Sequence, residues 1–346
     1  MAESRSASQA SDRGVERDAR PRIHELDALR GFAICGIMLV NTWQHTRGAL
    51  PGAADTPVDQ AIDLLFEGRF YPIFSFLFGV GFVLFLDGAR ARTAHPRLAL
   101  LARLIVLACF GALHQLVNPG EVLLPYAAFG IALLLPASYL PAWVSLLAGL
   151  AGVAAAIRID NAWLLIAALF PLGMAVVRYR PSPRLLLPAF AVSAVAGAAA
   201  TWVWADMDRH PENWLSFDTL PVMMPMLAAT TTAVAYGTGV MLLARASRTV
   251  SAALEPLGRM ALTNYLSSTL LILVALPFLT ADDSRWSVVF FSLAVLAVQA
   301  VLSRGWLRTH RYGPLEWVWR VLTWQRITPN RVDVPGDRGT PPGTAS

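Results

Sequence analysis

PAWVSLLAGLAGVAAAIRIDNAWLLIAALFPLGMAVVRYRPSPRLLLPAFAVSAVAGAAATWVW, residues 141–204, decides the fold. Its formal charges sit in two short breaks, from Arg158 to Asp160 and from Arg178 to Arg184. The runs between them, 141–157, 162–178 and 185–204, are apolar on every face. A helix needs roughly 20 such residues to cross a hydrocarbon core of about 30 Å, and a helix that is apolar all round has no side for water. The stretch reads as three consecutive membrane-spanning helices joined by tight turns.

The same pattern recurs on both sides. Further spans are expected at 27–46, 69–87, 98–117, 121–139, 220–243, 260–279 and 286–304. Together they predict an all-α integral membrane protein with about ten transmembrane helices in one bundle. The spans 121–139 and 141–157 are separated only by a turn bounded by Pro136 and Pro141. Composition agrees: of 346 residues, 55% are hydrophobic and 15% charged, against about 25% charged in soluble domains. So much apolar surface does not fit inside one soluble core.

A net charge of +5 raises the question of nucleic-acid binding. The basic residues are scattered between apolar runs rather than gathered on one face, which excludes it. All 28 of them are arginine. With the N-terminus in the cytoplasm, 23 of the 28 fall on the cytoplasmic side, leaving Arg47, Arg69, Arg158, Arg209 and Arg285 outside. This asymmetry predicts that both termini are cytoplasmic. Cys35 and Cys109 lie inside apolar runs and read as small packing residues, with neither a disulfide nor a metal site implied.

Residues 1–22 are polar, lack the apolar run of a secretory signal, and are expected to form a disordered cytoplasmic tail. The transmembrane domain is expected over 23–305. An amphipathic segment follows at 306–328, whose Trp306, Trp317, Trp319 and Trp324 suit the inner leaflet. A Pro/Gly-rich tail closes the chain at 329–346. Two outer loops carry content. The first, 46–66, predicts an interfacial helix in which Asp59, Asp63 and Glu67 form a solvated face beside Val58, Ile62 and Phe66. The second, 205–219, has Trp214 and Phe217 as interface anchors. Pro221 and Pro225 predict a kink in the span that follows.

Charges within spans cost about 2.5–3.5 kcal/mol each even on the lenient insertion scale. They fall into two groups. The inner group comprises Asp27 and Arg30, placed i, i+3 on one helix face, with Arg259 and Asn264 near the start of span nine and Glu316 and Arg320 in the C-terminal segment. These residues read either as interfacial salt bridges or as an Arg-lined pocket for a phosphate-bearing ligand. The outer group comprises Asn41, Arg69, His114 and Glu121. A tight turn at Asn118–Gly120 folds Glu121 back towards His114, making either a staple between two helices or a general base with an orienting carboxylate. His45 reads as a solvent-facing interfacial residue. Small-residue spacings such as Gly31 to Gly36 allow close helix packing but leave the oligomeric state unread.

LDALRGFAICGIMLVN, FYPIFSFLFGVGF, GALHQLVNPGEVLLPYAAFGIALL, LEPLGRMALTNYLSSTLL and RYGPLEWVWRVLTWQR together resemble the YeiB-like family, known as domain of unknown function 418, along nearly the whole chain. That family is similar to transmembrane acyltransferases that draw on cytoplasmic acyl-CoA and modify an acceptor on the far side. The resemblance implies a bacterial inner-membrane protein with acyl-CoA as co-substrate, no permanently bound cofactor, and a sugar, glycan or lipid acceptor. Many of the O-acyltransferases carry an Arg and, eleven positions later, a His on the first helix. Here Arg30 matches the Arg, while Asn41 stands at the His position. Asn is no base near neutral pH, so His114 takes that role in this reading and Asn41 or Arg69 steadies the oxyanion. The alternatives are a transporter or export partner using the two polar groups as gates, and a non-catalytic scaffold or sensor.

Overall fold

The computed structural model describes residues 24–214 and 218–332. The expected tail 1–22, most of 329–346, and Phe217 lie outside the described residues. Helices build nearly all the rest, and a single antiparallel bridge pairs His310 with Arg331. In chain order the helices are α1 (His24–Gly48), α2 (Pro57–Leu65), α3 (Phe70–Arg90), α4 (Pro96–Gln115), α5 (Leu123–Ala137), α6 (Ala142–Ile159), α7 (Ala162–Tyr179), α8 (Leu186–Arg209), α9 (Leu220–Ala246), α10 (Arg248–Arg259), α11 (Ala261–Thr280), α12 (Trp286–Thr309) and α13 (Pro314–Trp324).

Every expected span coincides with one of these helices. Eight helical segments are long and apolar enough to cross a membrane, the segment Pro57–Arg90 counting as one. Two of the ten expected spans fall outside that set for different reasons. Helix α1 is long enough, but Glu25, Asp27 and Arg30 open it. Helix α5 has only 15 residues, rising about 22 Å, and Gly130–Leu134 widen into a π turn. Helix α9 runs unbroken past Pro225, so the segment is not unwound there.

Helix α1 occupies the middle of the bundle, packed by α3, α9, α10, α11 and α12. Its tightest contact is with α10. A Cβ at Gly31 would overlap the Leu254 carbonyl, and one at Gly258 would overlap the Asp27 carbonyl. Backbones this close require glycine on both sides, the small-residue mode of packing in lipid. A second such contact joins α3 to α7, where Gly79 faces the Phe170 carbonyl and Gly173 faces that of Phe76. Around it an aromatic core gathers: Phe78 stacks on Phe170 at 4.8 Å and Tyr126 meets Phe170 edge-on at 5.2 Å. The outward faces of α8, α11 and α12 are apolar and open, with Val195, Val274 and Val301 each more than 70% exposed. Water does not stabilise such a surface and lipid does, so the chain is an all-α membrane protein.

Loop 46–66 holds the expected helix, α2, but Asp59 does not lie on a solvated face. Thr56 and Asp59 form a reciprocal capping box at the start of α2. Asp59 is 1% exposed, accepts the Trp43 indole N–H at 2.8 Å and faces Arg285 at 3.9 Å. Its i, i+4 spacing with Asp63 suggested one wet face. Cross-chain partners at Trp43 and Arg285, which no local pattern displays, draw Asp59 inward instead.

Candidate functional site

A cavity of about 1290 Å³ runs along α1 from Asp27 and Arg30 to His45 and Gly48. Helices α3, α4, α5, α7, α10 and α11 and the turn at 66–68 supply most of the rest of its wall, with α13 at one end. Its middle is apolar and aromatic, lined by residues such as Ile37, Phe74, Phe78 and Leu107. The two ends are chemically different.

At the basic end Arg30, Arg103, Arg259 and Arg311 all line the wall. Arg30 is paired with Asp27 at 2.8 Å. Arg103 has no carboxylate within ion-pair distance among the described residues. Its guanidinium lies 3.6 Å from the Trp319 ring centre and 4.9 Å from that of Phe85. Its charged neighbours are Arg30 and Arg320, which repel it. Arg259 donates to the Arg311 carbonyl at 3.2 Å. Helix α13 closes this end: the Trp319 indole donates to the Arg103 carbonyl at 2.9 Å. The C-terminal Trp-rich segment therefore packs on the bundle and walls the cavity.

Glu316 also lines the basic end, but its oxygens are committed. It accepts from the backbone N–H groups of Leu262 and Thr263 and from the Thr263 hydroxyl at 2.6 Å, capping α11. Burial pushes the Glu316 carboxyl above the usual carboxylate range. The folded pKa then exceeds the unfolded one, so the native state holds the proton longer and stability declines as pH rises through that window. Glu316→Gln is expected to flatten this decline, read as a smaller difference between thermal midpoints at pH 5 and pH 7 in detergent. Glu316→Ala strands two buried N–H groups and costs about 1–3 kcal/mol. An unchanged pH difference in the Gln variant contradicts the assignment.

At the opposite end the wall carries amides, an imidazole and two carboxylates: Asn41, Gln44, His45, Glu67, Asn118 and Glu121. His45 Nδ1 lies 2.8 Å from the Asn41 carbonyl, an acceptor only, so Nδ1 carries a proton. Nε2 lies 3.1 Å from the Asn118 side-chain amide. As imidazolium, His45 donates to the amide oxygen. As neutral imidazole, it accepts from the amide once that group turns over. Both protonation states are satisfied. Gln44 donates to Glu67 Oε1 at 2.9 Å, while Glu67 Oε2 has no hydrogen-bond partner.

The residues expected from sequence divide on this geometry. Asp27, Arg30, Asn41, Glu121, Arg259 and Glu316 face the cavity. Arg69, His114, Asn264 and Arg320 do not belong to its wall. Arg69 is 1% exposed and donates to the carbonyls of Asp63, Leu64 and Glu67, tying down the end of α2. Asn264 joins Ser303 and Gln299 in a buried network between α11 and α12. Arg320 lies over the Tyr312 ring at 4.9 Å. His114 is 4% exposed and stands behind the wall, edge-on to Tyr265 at 5.2 Å. The fold does bring it towards Glu121, but at 3.5 Å, and neither ring nitrogen is hydrogen-bonded. Glu121 instead accepts from Leu123 and Leu124 N–H, each at 2.7 Å, and caps α5.

Sequence reasoning missed Arg103 and misplaced His45. Arg103 follows Arg97 closely and reads as one more loop charge, although it lies well inside α4. His45 follows Asn41 by four residues, which places both on one face of α1. That spacing was the available signal.

The profile of a family described as "Protein of unknown function (DUF418)" matches residues 175–326. An "Uncharacterized 39.9 kDa protein in amylase 3'region" from Bacillus acidopullulyticus is 33% identical over 335 residues, covering 89% of this chain and 95% of that protein. The "Uncharacterized protein YxaH" of Bacillus subtilis (strain 168) is 26% identical over 387 residues, covering 88% of this chain and 96% of its own. The "Uncharacterized protein YeiB" of Escherichia coli (strain K12) is 38% identical over 79 residues, 22% of this chain and 20% of its own. No solved structure matches. With end-to-end likeness to one relative and the family's own profile on its C-terminal half, the chain belongs to the DUF418 family.

Proposed function

We propose that the protein is a transmembrane acyltransferase of the bacterial inner membrane, moving an acyl group from cytoplasmic acyl-CoA to an acceptor on the far side. The observation that carries this reading is the single cavity joining an arginine-rich mouth to a chamber of neutral polar groups. The arginine distribution supports a cytoplasmic side for the basic mouth and both termini. In this reading α1 and α5 complete ten crossing helices within 23–305. Helix α1 crosses because its charges pair or face the cavity rather than lipid.

Phosphates of the donor meet Arg30, Arg103, Arg259 and Arg311, and the planar guanidinium forks suit them. The pantetheine arm and acyl group follow the apolar middle. Arg30 and His45 are separated by about 22 Å of helical rise, so the extended pantetheine arm is what carries the thioester carbonyl towards His45. In the far chamber His45 Nε2 takes the proton of an acceptor hydroxyl or amine. The freed oxygen or nitrogen attacks the thioester carbonyl carbon. The carbon–sulfur bond breaks with its electron pair going to sulfur, and the imidazolium returns the proton to that thiolate. The Asn41 side-chain N–H steadies the oxyanion. His45 thus replaces His114 as the proposed base, and Glu121 holds the turn that carries Asn118.

Binding of acyl-CoA to the protein in nanodiscs tests the donor site. Arg103→Ala is expected to weaken binding about 10- to 100-fold, the loss of a charge-assisted contact worth about 1.5–3 kcal/mol. His45→Ala leaves it within twofold. Absence of binding to folded wild type, for short and long acyl chains alike, overturns the reading. A transporter uses the same through-running cavity, and it is distinguished by labelled substrate crossing vesicles without covalent change.

A further inference from the structure

We propose that the chamber around His45 selects its acceptor by charge: it admits a molecule that is neutral or cationic and rich in hydroxyl or amine groups, and rejects phosphorylated or carboxylated ones. The word acceptor rests on the acyl-transfer reading, but the charge selection rests on the chamber alone. Its wall presents two carboxylates, Glu67 and Glu121, and no guanidinium. The two cations nearest in sequence are committed elsewhere. Arg47 is paired with Asp55. Arg69 is turned onto the backbone carbonyls of Asp63, Leu64 and Glu67 and lies 5.3 Å from the Trp204 ring centre. Glu121 is already satisfied by two backbone N–H groups.

Glu67 differs. One oxygen accepts from Gln44 and the other, Oε2, is buried with no hydrogen-bond partner. A buried acceptor in that state calls for a donor, and a ligand in the chamber supplies one when the carboxylate turns towards it. Gln44 donates one of its two amide N–H groups to Glu67 and also lines the chamber. The chamber is therefore rich in lone pairs, which an ammonium or a set of hydroxyls satisfies. A phosphate or carboxylate brings more lone pairs and a repelled charge into a low-dielectric wall, where that repulsion is large. The basic mouth at the other end of the same cavity has the opposite sign, so donor and acceptor are sorted to opposite ends by charge.

The test is the reaction rate of a cysteine placed in the chamber, which requires no turnover and no knowledge of the natural acceptor. The two native cysteines are removed as Cys35→Ser and Cys109→Ala, and Asn41→Cys is introduced. The protein in nanodiscs is treated with methanethiosulfonates carrying a trimethylammonium, an uncharged methyl or a sulfonate group. Each rate is divided by that of the same reagent with 2-mercaptoethanol. The cationic-to-anionic ratio is expected to exceed that of the free thiol at least tenfold and to fall towards it when Glu67→Gln is added. Asn118→Cys serves as a second reporter if Asn41→Cys does not fold. A sulfonate that keeps pace with the ammonium, or a cysteine that none of the reagents reaches, overturns the proposal. Failure of acyl-CoA binding removes the acyltransferase reading and leaves the measured charge selection in place.

Discussion

Gly258→Val is expected to abolish accumulation of folded protein, and Gly258→Ala to lower stability by about 3 kcal/mol or more. The added Cβ would overlap the Asp27 carbonyl oxygen, and Gly31 N lies beside it. Overpacking usually costs about 1–3 kcal/mol because side chains can rotate away. Here the obstacle is backbone on a helix held on five sides, so relief requires separating α1 from α10. That separation also parts Asp27 and Arg30 from Arg259, and the basic mouth is lost with it. The same argument applies to Gly31, where the Leu254 carbonyl stands in the way. The recovery of monodisperse protein from detergent and its thermal midpoint measure the effect. A Gly258→Ala variant with the wild-type midpoint contradicts the close-packed α1–α10 contact.

His45→Ala is expected to reduce acyl transfer about 10²- to 10⁴-fold, the range contributed by a positioned general base. The residue lies on the cavity wall with Nδ1 anchored by a main-chain carbonyl, and Nε2, which the acceptor hydroxyl or amine takes over from Asn118, takes and returns a proton. Acyl-CoA binding at the far mouth should be almost unaffected, which separates loss of chemistry from loss of fold. His114→Ala supplies the contrast. That ring is buried behind the wall, so its removal is expected to leave a small cavity, lower the thermal midpoint and leave turnover per folded molecule within a few-fold. The reverse pattern, in which His114→Ala is inactive at normal stability and His45→Ala is active, restores His114 as the base.

The helices were legible in the sequence because lipid imposes a simple demand. Backbone groups must be satisfied within a segment, so length and apolarity locate each crossing. The partial failures follow from the same physics. Helix α1 escapes a hydropathy criterion because it carries charges near its start and Asn41, Gln44 and His45 near its end, and α5 escapes a length criterion with its 15 residues. Which side of a helix faces inward was not legible. Helices that are apolar all round have no hydrophobic face to read, so His45, expected at the interface, and His114, expected beside Glu121, are sorted to the cavity wall and behind it only by packing. Asp59 was misread for a related reason, since its partners Trp43 and Arg285 come from distant parts of the chain. The inner arginines were the most legible part of the site, because charge in a membrane-facing segment is rare enough to stand out. Arg103 escaped notice because it stands near the start of the expected span 98–117 and reads together with the loop arginines before it.

Helix α13 is joined to α4 through Trp319 and to α11 through Glu316, and Arg311 and Tyr312 just before it complete the basic mouth. The order of synthesis gives that arrangement a temporal consequence. A ribosome inserting this chain has placed every membrane helix before the last wall of the mouth leaves the exit tunnel. Chains cut short before residue 311 would lack that wall, so the basic mouth is completed only after the last of the long apolar helices has been made.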